Sequence, residues 1–159
     1  MDQGSTEYLL DRMEVSRTLY GYAQGADRRD WEGFRDCFCD EVEIDLSSYD
    51  GNPPVQMSAK DWVEGVRAGL SGFDATQHIS ANHLVEIDGD RAHATSDVQA
   101  SHMIDGERVV LAGWYDTDLR REGGRWRIAR SQLNVTWTAG PPELYQRASE
   151  RFAESQEQD

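Results

Sequence analysis

Histidine and tyrosine side chains in the second half of the sequence are the groups best suited to acid–base chemistry. His78, His102 and Tyr115 each fall in a run whose apolar residues alternate as in a β-strand. A neutral imidazole can remove a proton from carbon because its pKa lies near the working pH, and a phenol or second imidazole opposite it can protonate a leaving hydroxyl or polarise a carbonyl. These residue types therefore indicate proton transfer, with no need for a serine nucleophile.

Strand alternation predicts that His102 and Tyr115 point into the interior. His102 has the same parity as Ala100 and other small apolar residues of its run, and Tyr115 has the parity of Leu111. Gly113 lies between Leu111 and Tyr115 and has no side chain, so this face of the sheet has room for a cavity. We take His102 and Tyr115 as candidate catalytic residues.

His78 needs one irregularity to reach the same face. Its neighbours Ile79 and Val85 have the opposite parity, and only Leu84 shares that of His78. A β-bulge between His78 and Leu84 would reconcile them, and bulges are common where sheets bend beside active sites. A purely structural histidine, satisfied by a local hydrogen bond, stays open as the alternative for both His78 and His102.

Helical periodicity precedes these strands. Apolar residues recur at three- and four-residue steps from Thr6 to Ala26, with Ser5 or Thr6 as N-cap, and Asp30 can cap a short second helix after the interruption that starts at Asp27. The later elements up to residue 70 are also predicted from the pattern. They are a strand at Val42 to Leu46, a loop from Ser48 to Met57 and a third helix from Ser58 to Leu70.

After Ala75 the period changes to two, and three turn signals separate four strand-like runs. The signals are Asp88-Gly89, Asp105-Gly106 and Glu122-Gly123-Gly124, and they predict an antiparallel meander. Pro142 to Phe152 can form a last helix, and we expect Glu154 to Asp159 to be disordered. Helices followed by such a sheet predict an α+β fold, and the length fits a single domain over residues 1–159.

Composition narrows the range of partners. Thirty acidic against 16 basic residues give a formal charge of −14, which repels phosphate backbones and anionic membranes. The start of the chain has no signal-peptide pattern, and no stretch approaches the roughly 20 apolar residues that span a bilayer. We expect a cytoplasmic protein that binds a small molecule, with no nucleic acid or membrane as partner.

The sequence gives little support for a metal or a cofactor. Cys37 and Cys39 form one Cys-x-Cys without a partner pair, which provides neither a disulfide framework nor a four-ligand zinc site. His78 and His83 do not have helical ligand spacing, and no glycine-rich phosphate loop is found. We expect reduced, half-buried thiols, a catalytic thiol remaining an unsupported alternative, and we expect no metal and no cofactor.

A series of short motifs, in a fixed order, resembles a known family. The chain is similar to the SnoaL-like and scytalone dehydratase-like branch of the nuclear-transport-factor-2-like superfamily from about Tyr8 to Trp137. The motifs are Tyr20-x-Tyr22-Ala23, Ala26-Asp27-x-x-Asp30-Trp31, Ile44-Asp45, Thr76-Gln77-His78, Asp88-Gly89-Asp90-x-Ala92 and Gly124-Arg125-Trp126-Arg127-Ile128. Their order and spacing together are more specific than any one motif.

The resemblance implies a cone formed by a strongly bent sheet, closed by the N-terminal helices, with a pocket inside. Several members of this branch pair a histidine with an aspartate as general base, without metal or organic cofactor, and that pair matches His78 and Asp27. A second dehydratase-type histidine matches His102. A buried carboxylate beside His78 would fix its tautomer and stabilise the imidazolium that forms. Alternatively, Asp27 only caps or ends a helix.

Two positions depart from the scytalone dehydratase pattern. This chain has Ala26 where that enzyme has a tyrosine before the paired aspartate, and Leu46 where a second catalytic tyrosine follows the first strand. Tyr22, Tyr49 or Tyr115 could supply a phenol from another wall, although buried tyrosines more often serve as walls. The candidate substrate-binding residues are Tyr22, Tyr49, Trp62 and Asn134.

We therefore expect a cofactor-independent acid–base enzyme: a dehydratase, isomerase or cyclase of a small oxygenated apolar or polycyclic metabolite, as in secondary metabolism. Two other classes stay open, a non-catalytic small subunit of a ring-hydroxylating dioxygenase and a protein that only binds a small ligand. A homodimer or homotrimer is expected because the sheet leaves an outer face to cover, and the resemblance implies pairing through that face.

Overall fold

A computed structural model describes residues 5–158 of the chain. Helices and a mixed sheet form the α+β architecture that the sequence predicts. The helices are α1 (Thr6–Arg28), α2 (Trp31–Asp36), α3 (Ser47–Asp50), α4 (Ala59–Leu70) and α5 (Glu143–Gln156). The strands are β1 (Phe38–Asp45), β2 (Val55–Ser58), β3 (Ala75–Asp88), β4 (Arg91–Ile104), β5 (Glu107–Glu122) and β6 (Arg125–Ala139).

Helix α1 begins and ends at residues with clear capping roles. The Ser5 hydroxyl accepts a hydrogen bond from the Tyr8 backbone N–H at 3.1 Å, as expected of an N-cap. The helix ends two residues later than the sequence pattern suggested, because the left-handed backbone of Arg29 (φ 58°) stops it. Asp27 therefore lies in the last turn of α1. Asp30 caps α2, as predicted.

The sheet has six strands in the order β2-β1-β6-β5-β4-β3. Strands β3 to β6 form the predicted antiparallel meander. Strand β1 instead pairs in parallel with β6, so the sheet is mixed. It is curved and open, and the helices pack on it, which confirms the predicted fold class.

The expected loop from Ser48 to Met57 is partly regular. The Asp45 carboxylate accepts a hydrogen bond from the Ser47 N–H at 2.9 Å and so starts the short helix α3. Val55–Ser58 then pairs antiparallel with β1 and forms an edge of the sheet. The loop prediction was wrong at both places, because a local carboxylate bond and an available strand edge satisfy the backbone there.

The β-bulge predicted in β3 is present. The register between β3 and β4 shifts between Ala81 and Leu84, and Asn82 adopts a positive φ of 54°. The shift lets Val85 face the core while His78, on the other side of the bulge, faces the cavity described below. One irregular residue pair thus allows both ends of the strand to present their inward side chains on one face.

Two apolar clusters hold the helices to the sheet. The larger one includes Phe34, Phe38, Val42 and Ile128, which join α2 to β1 and β6. The second buries Leu144 and Ala148 of α5 against Phe73, Ile104 and Val109.

Helix α5 continues to Gln156, so the prediction of disorder from Glu154 onwards was wrong for Glu154–Gln156. Asp159 lies outside the described residues. Among residues 5–158 no helix has the length and apolarity to cross a bilayer.

Candidate active site

Asp27 and His78, 51 residues apart in the chain, meet at the junction of α1 and β3. The Nδ1 atom of His78 lies 2.7 Å from Oδ1 of Asp27, and the His78 backbone N–H donates to Oδ2 at 2.7 Å. The His78 side chain is 9% exposed and that of Asp27 is 18% exposed. The same carboxylate therefore holds both the ring and the backbone of this histidine.

Thr76 and Arg29 hold the carboxylate in place. The Thr76 hydroxyl donates to Oδ1 of Asp27 at 3.0 Å, and Arg29 donates to the oxygen of that hydroxyl at 2.9 Å. Arg29 also donates to the backbone carbonyls of Ala26 and Leu70. These bonds tie α1, α4 and β3 together around Asp27, and they fix the direction in which the Thr76 hydroxyl donates.

The environment of Asp27 keeps its carboxyl group ionised. Burial raises the pKa of Asp27, but hydrogen bonds from the ring and backbone of His78 and from Thr76 outweigh it, so the pKa is lowered from its ordinary value. Because an ionised carboxylate only accepts hydrogen bonds, Nδ1 of His78 must carry the proton between the two groups. A neutral His78 then has an unprotonated Nε2, the form that a general base requires.

His78 lies on the wall of a cavity of about 360 Å³ between α4, α5 and the inner face of the sheet. Six of the candidate site residues line it together: Tyr22, Tyr49, Trp62, His78, His102 and Tyr115. Most of the other lining side chains are apolar, such as Leu46, Val66 and Leu111. The cavity is therefore suited to a small and mainly apolar molecule.

Asn134 is not brought to this cavity. Its neighbour Leu133 lines the wall, and successive residues of a strand point to opposite faces. In register, Asn134 is paired with Trp114, whose side chain is partly exposed. Asn134 is therefore not among the residues that line this cavity, and no contact with it supports a substrate-binding role for Asn134.

His102 is a second imidazole in the cavity wall. Its ring stands perpendicular to that of His78 with 5.4 Å between the centroids, and its Nδ1 lies 3.2 Å from the Tyr145 hydroxyl. Burial, with a smaller contribution from the charge of His78, lowers the pKa of His102 to about 4. His102 is therefore neutral at physiological pH, with one ring nitrogen that donates a hydrogen bond and one that accepts.

Two phenols meet at the inner end of the cavity. The hydroxyls of Tyr22 and Tyr115 are 3.3 Å apart. Burial raises the pKa of both phenols, and each raised pKa keeps its hydroxyl protonated at neutral pH. Behind them a second, much smaller cavity of about 20 Å³ is lined by His78 and by the hydroxyl residues Ser80, Ser96, Thr117 and Ser131. That volume can hold one water molecule.

Comparison with known families identifies the chain. The model of the SnoaL-like domain matches residues 7–132, most of the chain. The chain belongs to the SnoaL-like family. The resemblance read from the sequence motifs is thus confirmed. An uncharacterized protein of Mycobacterium tuberculosis is 30% identical over 129 residues, which cover 79% of this chain and 86% of the relative.

Solved structures share the SnoaL-like fold. A protein of Kribbella flavida has a TM-score of 0.81 at 29% identity, covering 88% of this chain and 99% of its own. A protein of Novosphingobium aromaticivorans, provisionally assigned as a scytalone dehydratase, has a TM-score of 0.72 at 22% identity and covers 84% and 89%. A hexachlorocyclohexane dehydrochlorinase has a TM-score of 0.69 at 17% identity and covers 84% and 90%. At these last two identities the likeness concerns the fold alone.

Three residues of this SnoaL-like site were missed by sequence reasoning. Thr76 and Arg29 support Asp27, and Tyr145 contacts His102 from α5. Thr76 belongs to the quoted motif Thr76-Gln77-His78, so a signal for it existed. Arg29 lies in the interruption between the first two predicted helices, where the pattern gives no signal for a contact with Thr76. Tyr145 follows the buried Leu144 on a helix whose docking place no local pattern reveals.

The remaining histidines and the cysteines of the SnoaL-like domain lie outside the cavity wall. His93 is grouped with Asp116 and Asp118 at metal-binding spacing, but Arg130 donates to Asp116 at 2.9 Å and supplies the positive charge there. Burial raises the pKa of the Cys37 thiol to about 12, so that it stays protonated. A catalytic thiolate at Cys37 therefore has no support.

Proposed function

We propose that this SnoaL-like protein is a cofactor-independent acid–base enzyme that removes a proton from carbon in a small, oxygenated, mainly apolar metabolite. A dehydratase, an isomerase and a cyclase that forms a carbon–carbon bond can each begin in this way. The observation that carries the proposal is the Asp27–His78 pair, with 2.7 Å between carboxylate and ring nitrogen, in the wall of an apolar cavity.

His78 acts as the base in this proposal. Its Nε2 takes the proton, and Asp27 stabilises the imidazolium that results. Burial of both side chains strengthens this attraction, because charges interact more strongly in a low-dielectric site. Acid–base assistance of this kind contributes about 10²- to 10⁴-fold in rate.

Three neutral hydrogen-bonding side chains add to the polar part of the wall. His102, Tyr115 and Tyr22 stay uncharged at neutral pH, since burial shifts the pKa of each in the direction that favours its neutral form. Such donors suit an oxygen atom that gains negative charge as the carbon loses its proton. Two proteins of the same fold have names that refer to elimination reactions. One is a hexachlorocyclohexane dehydrochlorinase, and the other is provisionally assigned as a scytalone dehydratase. Both are consistent with this reaction class.

Ring opening of 5-nitro-1,2-benzisoxazole tests the proposal without knowledge of the natural substrate. A base removes the proton at C3, that electron pair completes a nitrile, and the N–O bond breaks to release a coloured phenolate. The wild-type protein should accelerate this reaction over buffer, and His78→Gln should lower the acceleration by about 10²- to 10⁴-fold. His93→Gln, a change outside the cavity, should leave it unaltered. A wild-type rate equal to that of buffer, or an unaltered rate in His78→Gln, would refute the proposed function.

A further inference from the structure

Tyr145 presents a hydroxyl to the cavity that no motif of the sequence indicated. This hydroxyl lies 3.2 Å from Nδ1 of His102. The Tyr145 ring also contacts Phe73 and Tyr49, with centroids 5.6 and 6.1 Å away. Hydrogen bond and ring contacts together hold the phenol at one position on the cavity wall.

Helix α5, which carries Tyr145, is anchored on both sides of that residue. Leu144 and Ala148 are fully buried. Further along the helix, Arg151 donates to the carboxylates of Asp74 (2.7 Å) and Asp105 (2.5 Å). A functional side chain on an anchored helix keeps its position better than one on a loop.

Three polar rings share this wall of the cavity, those of His78, His102 and Tyr145. The His102 ring contacts both of the others, with its centroid 5.4 Å from that of His78 and 5.1 Å from that of Tyr145. A molecule in the cavity can therefore meet the His78 base and the Tyr145 hydroxyl together. Elimination needs these two groups, one to take a proton from carbon and one to give a proton to the departing oxygen.

We propose that Tyr145 is a further catalytic residue, which donates a proton to the oxygen leaving the substrate while Nδ1–H of His102 donates to the phenolic oxygen. The inference rests on the proposed function. His78 takes the proton from carbon, that electron pair forms the new double bond, and the C–O bond breaks towards oxygen. The leaving oxygen takes the Tyr145 proton. His78 then returns a proton to the phenolate through water that enters as the product leaves, which restores both groups.

The protonation state of Tyr145 agrees with this role. Burial raises the pKa of the Tyr145 phenol, with smaller contributions from Tyr49 and Tyr115, so the hydroxyl holds its proton in the resting enzyme. Two other tyrosines of the cavity, Tyr22 and Tyr115, are placed differently. Tyr22 and Tyr115 hydrogen-bond each other, whereas Tyr145 bonds to an imidazole. The substrate class that follows is one whose leaving group is an oxygen too basic to depart unaided, such as a hydroxyl.

Dependence on the leaving group distinguishes an acid from a structural residue. We compare 5-nitro-1,2-benzisoxazole, whose phenolate leaves readily, with unsubstituted 1,2-benzisoxazole, whose phenolate is a stronger base. Tyr145→Phe should lower the rate with the unsubstituted probe by about tenfold more than the rate with the nitro probe. Tyr20→Phe, on the exposed side of α1, is the matched control and should change neither rate.

The ratio of the two rates within one variant is insensitive to partial unfolding, because a smaller folded fraction lowers both rates by the same factor. An unchanged ratio in Tyr145→Phe would overturn the role of Tyr145. If the ratio of the two rates is unchanged in Tyr145→Phe but changed in His102→Gln, the proton donor is His102 instead. These outcomes differ from failure of the proposed function, in which the wild type would accelerate neither probe or His78→Gln would keep full activity.

Discussion

Asp27 binds His78 twice: one carboxylate oxygen lies 2.7 Å from the ring Nδ1, and the other accepts the backbone N–H of the same residue at 2.7 Å. The second bond fixes the start of the side chain while the first fixes its ring. Because Thr76 adds a third bond to the carboxylate, the orientation of the imidazole is set before any substrate arrives. This relationship underlies the proposed chemistry.

Stability of the fold should depend on pH through His102. Its pKa is about 4 in the folded protein against about 6.5 when unfolded, so between these values the unfolded chain binds a proton that the folded protein does not. Stability should therefore fall as pH decreases from 6.5 towards 4, by about 3 kcal/mol. Urea unfolding of wild type and His102→Gln across this range measures the effect. Parallel pH profiles of the two proteins would contradict it.

Both cysteines should be unreactive in the folded protein. Cys37 and Cys39 are buried, and burial raises the pKa of each thiol, that of Cys37 to about 12. Since the thiolate is the reactive form, iodoacetamide at about pH 8 should modify neither residue until urea is added. Mass spectrometry of the labelled protein checks this. Rapid labelling of native protein with loss of activity would revive the catalytic thiol that the sequence left open.

The outer face of the sheet should pair with a second copy of the chain. Ile79, Trp114 and Trp137 border one shallow groove on this face, and each is at least 39% exposed. Exposed apolar patches of this kind mark interaction sites. Sedimentation should show an oligomer for the wild type and a monomer for Trp137→Glu. Met13→Glu, an equally drastic change on α1, should keep the wild-type mass, and a monomeric wild type would contradict the expectation.

Periodicity was enough to predict the meander and the inward direction of His102 and Tyr115, because alternation along a strand is a local property. It also located the bulge that brings His78 to the cavity, since the parity conflict between His78 and Val85 had to be resolved somewhere. The same alternation explains why Asn134 does not line the cavity wall. Its neighbour Leu133 does, and successive residues of a strand point to opposite faces.

Contacts between distant elements were beyond these local patterns. Tyr145 reaches His102 only because α5 docks through Leu144 and Ala148, and nothing in the sequence of α5 names that docking surface. The parallel pairing of β1 with β6 is similarly non-local. Pairing of Asp27 with His78 came from the family resemblance, not from spacing, since 51 residues separate them.

Asp27→Asn tests the central claim most directly. An asparagine side chain has nearly the same shape and can still accept the backbone N–H of His78, but it cannot stabilise an imidazolium or hold the ring nitrogen in its required tautomer. The rate of 5-nitro-1,2-benzisoxazole ring opening should therefore fall by about 10²- to 10⁴-fold in a protein that still unfolds cooperatively. A folded Asp27→Asn protein with the wild-type rate would contradict the account.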